Sequence, residues 1–298
     1  KFAGTDSGRM PRAEDGSSLV LTFDGLLEKT DFVQDMRRML AVLEESYEYP
    51  VDIEFVLNFF EEDRYLINLV QCRPLPVQGD ERKQLPKLDL DREDAIVRAR
   101  GAVIGQTRLV DVGQFVYVVP EEYSKLSIQD RYSVARLVGS INKAYPADDS
   151  QALVLLGPGR WGTRSPSLGV PVSFTEINRV AVLCEIVTMR EGLIPDASLG
   201  THFLNELVEM DVLYLALFPQ QEGNYLGADF FRSAPNRLCD IVPGSEKWQD
   251  VVRVVNVQDV AASGASIVFA ADAQAQRVAC FRDMDGTYEP AGQKQEQS

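Results

Sequence analysis

The sequence predicts an α/β protein, with α+β as the alternative arrangement, and three observations carry that prediction. Beyond residue 95, apolar runs of strand length alternate with helix-length segments, the pattern of an α/β layered domain built on a mixed sheet. Before residue 77, an amphipathic helix is followed by two strand-like segments. Between the two regions, "QGDERKQLPKLDLDRED" (78–94) is charged and poor in large apolar groups, so it reads as a linker joining domains at 1–77 and 95–288.

Taken in order, residues 1–18 are polar and rich in Gly, Ser and Asp, which suits a loop or frayed end. "SLVLTFDGLL" reads as a short strand and a turn. In "DFVQDMRRMLAVLEESYEY", Phe32, Val33, Met36, Met39, Leu40 and Leu43 recur at helical spacing, which predicts one buried face with Asp31 as cap. "VDIEFVLNFF" and "RYLINLVQCRPLPV" follow as strands, with the polar Glu61 to Arg64 suited to a hairpin turn. In the first of them, alternation puts Val51, Ile53 and Phe55 on one face and Asp52 and Glu54 on the other.

In the second region "GQFVYVVP" is a strand. "SIQDRYSVARLVGSINKAY" is a helix with Val134, Leu137, Val138 and Ile141 on one stripe. "ALVLL", "RVAVLCEIV" and "VLYLALFP" are strands, with "THFLNELVEM" a helix before the last of them. "DVVRVVNV", "SIVFAAD" and "QRVACFRD" make three more strands, the last two forming a hairpin through "AQA". The tail, residues 289–298, has the composition of a disordered segment.

Composition narrows the function classes. A net charge of −15 and a pI near 4.6 repel nucleic acid and anionic membranes, so a small anionic metabolite or a nucleotide held in a local basic pocket is the expected partner. Cys72, Cys184, Cys239 and Cys280 form no CxxC pair, which argues against a zinc site and for a reducing, cytoplasmic setting. No apolar run reaches membrane-spanning length. The chain opens on Lys1 rather than Met, which suits a processed or excised fragment.

Three groups of residues carry candidate chemistry. Glu54, Gln71 and Arg73 lie on the paired strand segments. If both strands share a pleat phase, Glu54 comes near Gln71 on one face. A carboxylate and an amide oxygen suit Mg²⁺, which keeps waters and phosphate oxygens in its shell, and a guanidinium suits the phosphate. The alternative is an exposed hairpin with scattered polar residues.

The second group is "LGPGRWGTRSP" (156–166), a strand running into a glycine-rich turn. Gly157 and Gly159 allow positive φ and converging amides, and Arg160 and Arg164 are placed to clamp a phosphate or carboxylate. Trp161 either stacks on a planar ligand group or covers the turn. No Gly-Lys-Ser/Thr follows, so this is not a Walker A loop. The third group is "SLGTHFLNEL". With Thr201 as cap, the lone histidine, His202, falls in the first turn of a helix, where an anion is also favoured. It reads as a structural residue beside a cap or, alternatively, as a phosphoryl acceptor.

The segment "PVDIEFVL…YLINLVQCRPLPV" resembles the closing hairpin of the ATP-grasp nucleotide-binding domain in phosphoenolpyruvate (PEP) synthases and pyruvate phosphate dikinases. The resemblance covers roughly residues 20–77 and is carried by Asp-Ile-Glu and Gln-Cys-Arg-Pro. It implies that Glu54 and Gln71 hold metal and ATP, that Arg73 contacts phosphate in a catalytic role, and that residues 1–77 are the C-terminal piece of an ATP-grasp domain. This hairpin turn is longer than the family's, and the triphosphate-gripping lysine half is not found before Asp52. Residues 95–285 resemble the C-terminal region of PEP synthase-like proteins, in which Gly-Pro-Gly-Arg-Trp-Gly and Gly-Thr-His-Phe recur together. The implied function is a fragment of a PEP synthase-like, ATP- and Mg²⁺-dependent phosphotransferase of the kinase or dikinase type, contributing part of the Mg·ATP site and an anion-binding α/β domain, with little activity expected of the chain alone. The alternative is a non-catalytic module that binds a phosphorylated metabolite or a protein partner.

Overall fold

A computed structural model describes residues 23–47, 51–60, 64–74, 90, 94–146, 151–187, 197–198, 201–261 and 265–284. The chain divides into two compact units, Lys1–Val77 and Gln78–Ser298. The expected frayed start, the strand at 18–22, most of the hairpin turn and the disordered tail lie outside the described residues.

The first unit holds two helices, α1 (Asp24–Lys29) and α2 (Phe32–Tyr47), and two strands, β1 (Val51–Phe59) and β2 (Tyr65–Pro74). Where a turn was expected at 24–27 the backbone is helical, and α1 has Asp24 in its first turn and Lys29 in its last, both matched to the helix dipole. At the start of α2 the Thr30 hydroxyl accepts the Phe32 N–H at 3.2 Å. The expected stripe from Phe32 to Leu43 is present, but its six residues are only half-buried and no residue of α2 is buried. The physical reason is the size of the partner: one two-stranded ribbon has too little surface to cover a sixteen-residue helix. The contact is aromatic. Phe32 lies 5.9 Å from Phe55 and 6.2 Å from Tyr65, ring to ring. The Tyr65 hydroxyl donates to Asp35 at 2.5 Å, and burial together with that carboxylate pushes the phenol up to about 12. Among the described residues of this unit only Leu26 is buried, while Val56, Leu66, Val70 and Phe60 are about half exposed.

The second unit is built on strands β3 (Val97–Arg100), β4 (Val103–Ile104), β5 (Arg108–Val118), β6 (Ala152–Pro158), β7 (Arg160–Trp161), β8 (Gly169–Val170), β9 (Val180–Ile186), β10 (Leu213–Leu217), β11 (Tyr225–Leu226), β12 (Val252–Asn256), β13 (Ser266–Asp272) and β14 (Arg277–Asp283). Its helices are α3 (Pro120–Ser124), α4 (Ile128–Ala144), α5 (His202–Glu209), α6 (Ala228–Ser233), α7 (Leu238–Ile241) and α8 (Val257–Val260). The main sheet runs β11-β3-β14-β13-β5-β6-β9-β10-β4, and β12 also pairs with β5. Within this main sheet β5, β6, β9 and β10 pair parallel and the remaining pairings are antiparallel, so the sheet is mixed as expected, while β7 and β8 form a separate parallel pair.

The sheet closes on itself. Only Gly101 and Ala102 separate β3 from β4, yet these strands stand on opposite sides of the path β14-β13-β5-β6-β9-β10. Laid flat at about 4.8 Å per strand, that path would hold them some 30 Å apart. They meet because the sheet curls into a barrel, with Gly101 and Ala102 both at positive φ at the corner. Alternation then sorts the core. Phe115, Tyr117, Val154, Leu156, Val182, Cys184, Leu215, Phe269 and Cys280 form one apolar cluster inside. Val116, Val118, Leu153, Leu155, Leu183 and Tyr214 point the other way and pack on α4, α5 and Trp161.

Helix α4 follows its pattern, with Val134, Leu137, Val138 and Ile141 buried and the Ser127 hydroxyl accepting the Asp130 N–H at 3.2 Å. Strand β5 starts at Arg108, earlier than "GQFVYVVP" indicated. The hairpin of β13 and β14 is present. Leu90 falls in the segment expected to be linker, yet it is buried against Val268, Ala270, Ala279 and Phe281. A single leucine among charges carries little periodic signal, but the outer face of β13–β14 needs a cover there. No helix among the described residues is long and apolar enough to cross a membrane.

Candidate functional site

Two places gather the residues singled out above, one in each unit. In the first unit, β1 and β2 pair antiparallel with Glu54 opposite Gln71 and Asp52 opposite Arg73. Directly opposed residues share a face, so Asp52, Glu54 and Gln71 lie on the side away from Phe55, and the register sets position 73 opposite Asp52. The register shifts between Glu54 and Phe55, a bulge of the kind that re-aims a side chain at the edge of a site. Glu54 is half-buried and Gln71 exposed. Cys72, on the other face, bonds to Tyr47 and raises its phenol pKa.

In the second unit, the parallel strands β6, β9 and β10 end on one side of the barrel, and the glycine-rich turn and the start of α5 sit there. The turn does not present an open nest of amides. The Gly159 N–H donates to Ile186 O (2.9 Å), Arg160 N–H to Leu168 O (2.9 Å) and Gly162 N–H to Val170 O (3.1 Å). The Trp161 N–H donates to the Glu185 carboxylate at 2.9 Å. Buried amides must find acceptors, and neighbouring strands supply them. The glycines serve close packing. Gly159 has φ +62°, and a Cβ there would lie 2.2 Å from Leu168 O. A Cβ on Gly157 would lie 2.4 Å from the Trp161 ring. Trp161 itself is buried and donates its Nε1–H to Cys184 O at 3.2 Å, so of its two readings the inward one holds.

Arg160 is half-buried and Arg164 exposed. Thr201 caps α5 as expected, its hydroxyl accepting the Leu204 N–H at 3.3 Å and donating to Ser198 O at 2.7 Å. His202 follows it, exposed, in the first turn. The two motifs are in contact. Gly162, at φ +68°, faces the Phe203 ring so closely that a Cβ would come within 2.3 Å of it. The loop of Arg160 and the helix of His202 are therefore packed together at the carboxyl ends of parallel strands, the usual place for ligand sites in α/β sheets.

The residue that organises this end was not singled out in the sequence. Glu185 is fully buried. Its Oε1 accepts the Trp161 N–H (2.9 Å) and the Ser198 hydroxyl (2.5 Å); its Oε2 accepts the Ser198 N–H (2.8 Å) and the Tyr214 hydroxyl (2.7 Å). Burial raises its pKa, and the four donors pull it back without reversing the direction. Glu185 ties the glycine turn, the lead into α5 and β10 to one point. The anion that the turn binds is thus the chain's own. The available signal was a lone carboxylate inside "RVAVLCEIV", because a charge in a buried strand needs partners.

Cys184 and Cys280 are buried and unpaired with each other, their thiols pushed up by burial. Cys72 and Cys239 are half-buried. No cluster of three or more His, Cys, Asp or Glu able to hold a metal stands among the described residues.

Residues 9–94 match the family model described as pyruvate phosphate dikinase, AMP/ATP-binding domain. The match is longer than the hairpin alone and covers less than half of the 298-residue chain. Neither a curated protein nor a solved structure matches the chain. Residues 9–94 are thus similar to the nucleotide-binding domain of the pyruvate phosphate dikinases, and the likeness is confined to that part of the chain.

Proposed function

We propose that the β1–β2 hairpin supplies the metal and phosphate side of an Mg·ATP site in a pyruvate phosphate dikinase-like phosphotransferase. The observation that carries this reading is the register, which sets Glu54 opposite Gln71 and Asp52 opposite Arg73. Opposed Cβ atoms on such a pair are about 5 Å apart, within the span of a hydrated cation held by one carboxylate and one amide oxygen. The oxygen-only donor set suits Mg²⁺, whose remaining positions stay with water and phosphate oxygens. Mg²⁺ would neutralise charge on the phosphates; Glu54 and Gln71 would hold it, and Arg73 would orient the phosphoryl oxygens as a flat fork of donors. Catalysis of this kind rests on positioning and charge neutralisation, so removing one holder lowers affinity before it alters chemistry.

The test is calorimetric titration of the whole chain with ATP, with and without Mg²⁺. Glu54→Gln and Arg73→Ala should each weaken Mg·ATP binding about tenfold or more, and Glu54→Gln should also erase the Mg²⁺ dependence. Equal binding by the wild type and both variants refutes the assignment.

A second reading is favoured by the contact between Gly162 and Phe203. Arg160, Arg164 and His202 would then form an anion site at the carboxyl end of the barrel strands, taking a phosphorylated metabolite or nucleotide phosphate. In this reading Gly157 and Gly159 shape the turn, and their amides do not touch the ligand. Loss of inorganic phosphate binding in Arg160→Ala, with the melting temperature unchanged, supports this reading. A fall in melting temperature with no phosphate binding in the wild type makes the arginine structural.

A further inference from the structure

The segment that leaves the glycine turn is held from outside as well as from within. Residues 162–168 connect β7 to β8, which pair in parallel with Arg160 beside Gly169 and Trp161 beside Val170. Parallel neighbours ordinarily need a crossover of about a dozen residues or more. Here seven residues make the connection, so the segment is a compact loop whose two ends touch, a form that surface loops with a function often take. A Cβ on Gly169 would lie 1.9 Å from Arg160 O, so only glycine allows the ends to meet in this way.

The loop's own hydrogen bonds set its inner shape. The Thr163 hydroxyl accepts the Ser165 N–H at 3.1 Å, and the Leu168 N–H donates to Ser165 O at 2.9 Å. Helices α3 and α4 set its place. Arg131 of α4 donates from Nη1 to Pro166 O at 2.8 Å and from Nη2 to Ser124 O at 2.9 Å, which bridges the middle of the loop to the end of α3. Its guanidinium carbon lies 5.4 Å from the centre of the Tyr123 ring, and the Tyr123 hydroxyl donates to Gly169 O at 2.8 Å. Tyr123 and Pro166 are buried and Arg131 is half-buried.

Two side chains thus bolt the loop at its middle and at its far end, while its base at Gly162 packs on Phe203. Arg164, the loop's one charged residue, stands exposed two positions before the bolted Pro166. Ordering an arginine to hold a surface loop costs side-chain entropy. That cost is useful where the loop must present a group at a fixed place.

We propose that Arg131 and Tyr123 are positioning residues for the anion site at the glycine turn. They hold the loop so that Arg164 meets a phosphate group already engaged by Arg160, and neither of them touches the ligand. This rests on the second reading above, in which Arg160, Arg164 and His202 take a phosphorylated metabolite or nucleotide phosphate. The flat fork of Arg131 is what the task needs. A lysine has the same charge but no planar group to bridge two carbonyls and stack against Tyr123.

The test is calorimetric titration of the whole chain with inorganic phosphate, with thermal melting alongside. The wild type should bind phosphate and Arg164→Ala should lose it. Arg131→Lys keeps the charge, so it should weaken phosphate by about tenfold only if placement of Arg164 matters. Tyr123→Phe, which removes one bond to the loop, should weaken it by about threefold. Arg253→Lys is the matched control. Arg253 donates from Nε to Phe231 O and from Nη2 to Ala234 O, both at 2.7 Å, so this change removes the same kind of bonds from α6 instead of the loop. It should lower the melting temperature comparably and leave phosphate affinity unchanged.

Phosphate affinity retained in Arg131→Lys, with Arg164→Ala losing it, overturns the positioning role and leaves the anion site standing. An equal loss in Arg253→Lys makes the effect one of general stability and overturns it too. No binding by the wild type removes the anion site and the proposal together. If Arg131→Lys does not fold, Tyr123→Phe against Arg253→Lys decides.

Discussion

Replacing Glu185 with methionine removes a buried hub while keeping most of its volume. In the native chain each carboxylate oxygen serves one backbone amide and one hydroxyl: Trp161 N–H and Ser198 Oγ on Oε1, Ser198 N–H and the Tyr214 hydroxyl on Oε2. The hydroxyls can rotate to other acceptors; the two amides cannot. A buried amide without an acceptor costs about 1–3 kcal/mol, so Glu185→Met should cost about 2–6 kcal/mol, partly offset by release from burying a charge. For a body of this size that is a fall in Tm on the order of 10 °C. Glu185→Gln is the sharper comparison. Its NH₂ group, placed at either oxygen position, meets one amide N–H head-on, so one amide is always lost and the cost should be roughly half that of methionine. The assay is thermal melting by circular dichroism, with hydrogen exchange at the Trp161 amide. An unchanged or raised Tm for Glu185→Met, with Trp161 still protected, would refute the reasoning, because charge burial would then outweigh the hydrogen bonds.

Further expectations concern the same unit. Tyr214→Phe removes one hydroxyl donor from Glu185 and should lower stability by about 1–2 kcal/mol, less than either change at Glu185 itself, read from denaturant melts. Gly162→Ala forces a side chain into positive φ, about 1–2 kcal/mol before the Phe203 ring is displaced, and should loosen the turn from α5, visible as faster exchange of the Leu204 amide. Asp111 has its carboxyl pKa raised by burial and by the charge of Asp283, against a hydrogen bond from Gln151 that lowers it. Its native pKa therefore lies above its unfolded one, so native stability falls as pH rises from the ordinary aspartate range through the raised value, then levels off. Asp111→Asn should remove that fall, raising Tm at neutral pH and leaving it unchanged in strong acid.

Local rules account for what was readable from the residues. The period-2 alternation in β1 put Asp52 and Glu54 on one face, while the register that sets Glu54 opposite Gln71 comes from the fold; the 3.6-residue stripe in α4 marked the side that is buried. Thr201 was recognisable as a cap because its hydroxyl acts within its own turn. What escaped depends on partners distant in the chain. Closure of the barrel rests on β3 and β4 meeting strands from opposite ends of the sheet, and no periodicity encodes that. The turn at Gly157–Gly162 has the composition of an anion nest, but its amides are taken by Leu168, Val170, Ile186 and Glu185, which only the fold brings near. Helix α2 shows the reverse limit: its stripe is correct, yet burial requires a surface to pack on, and a two-stranded ribbon gives little.

The assignment of the Glu54–Gln71 pair as the cation holder is tested most directly with Mn²⁺ in place of Mg²⁺. Electron paramagnetic resonance counts the free Mn²⁺ as the whole chain is titrated in the presence of ATP. The wild type should remove Mn²⁺ from solution in an ATP-dependent way, and the Glu54→Gln, Gln71→Leu double variant should leave it free at the same concentrations. Identical depletion by both proteins, or none by the wild type, would contradict the account.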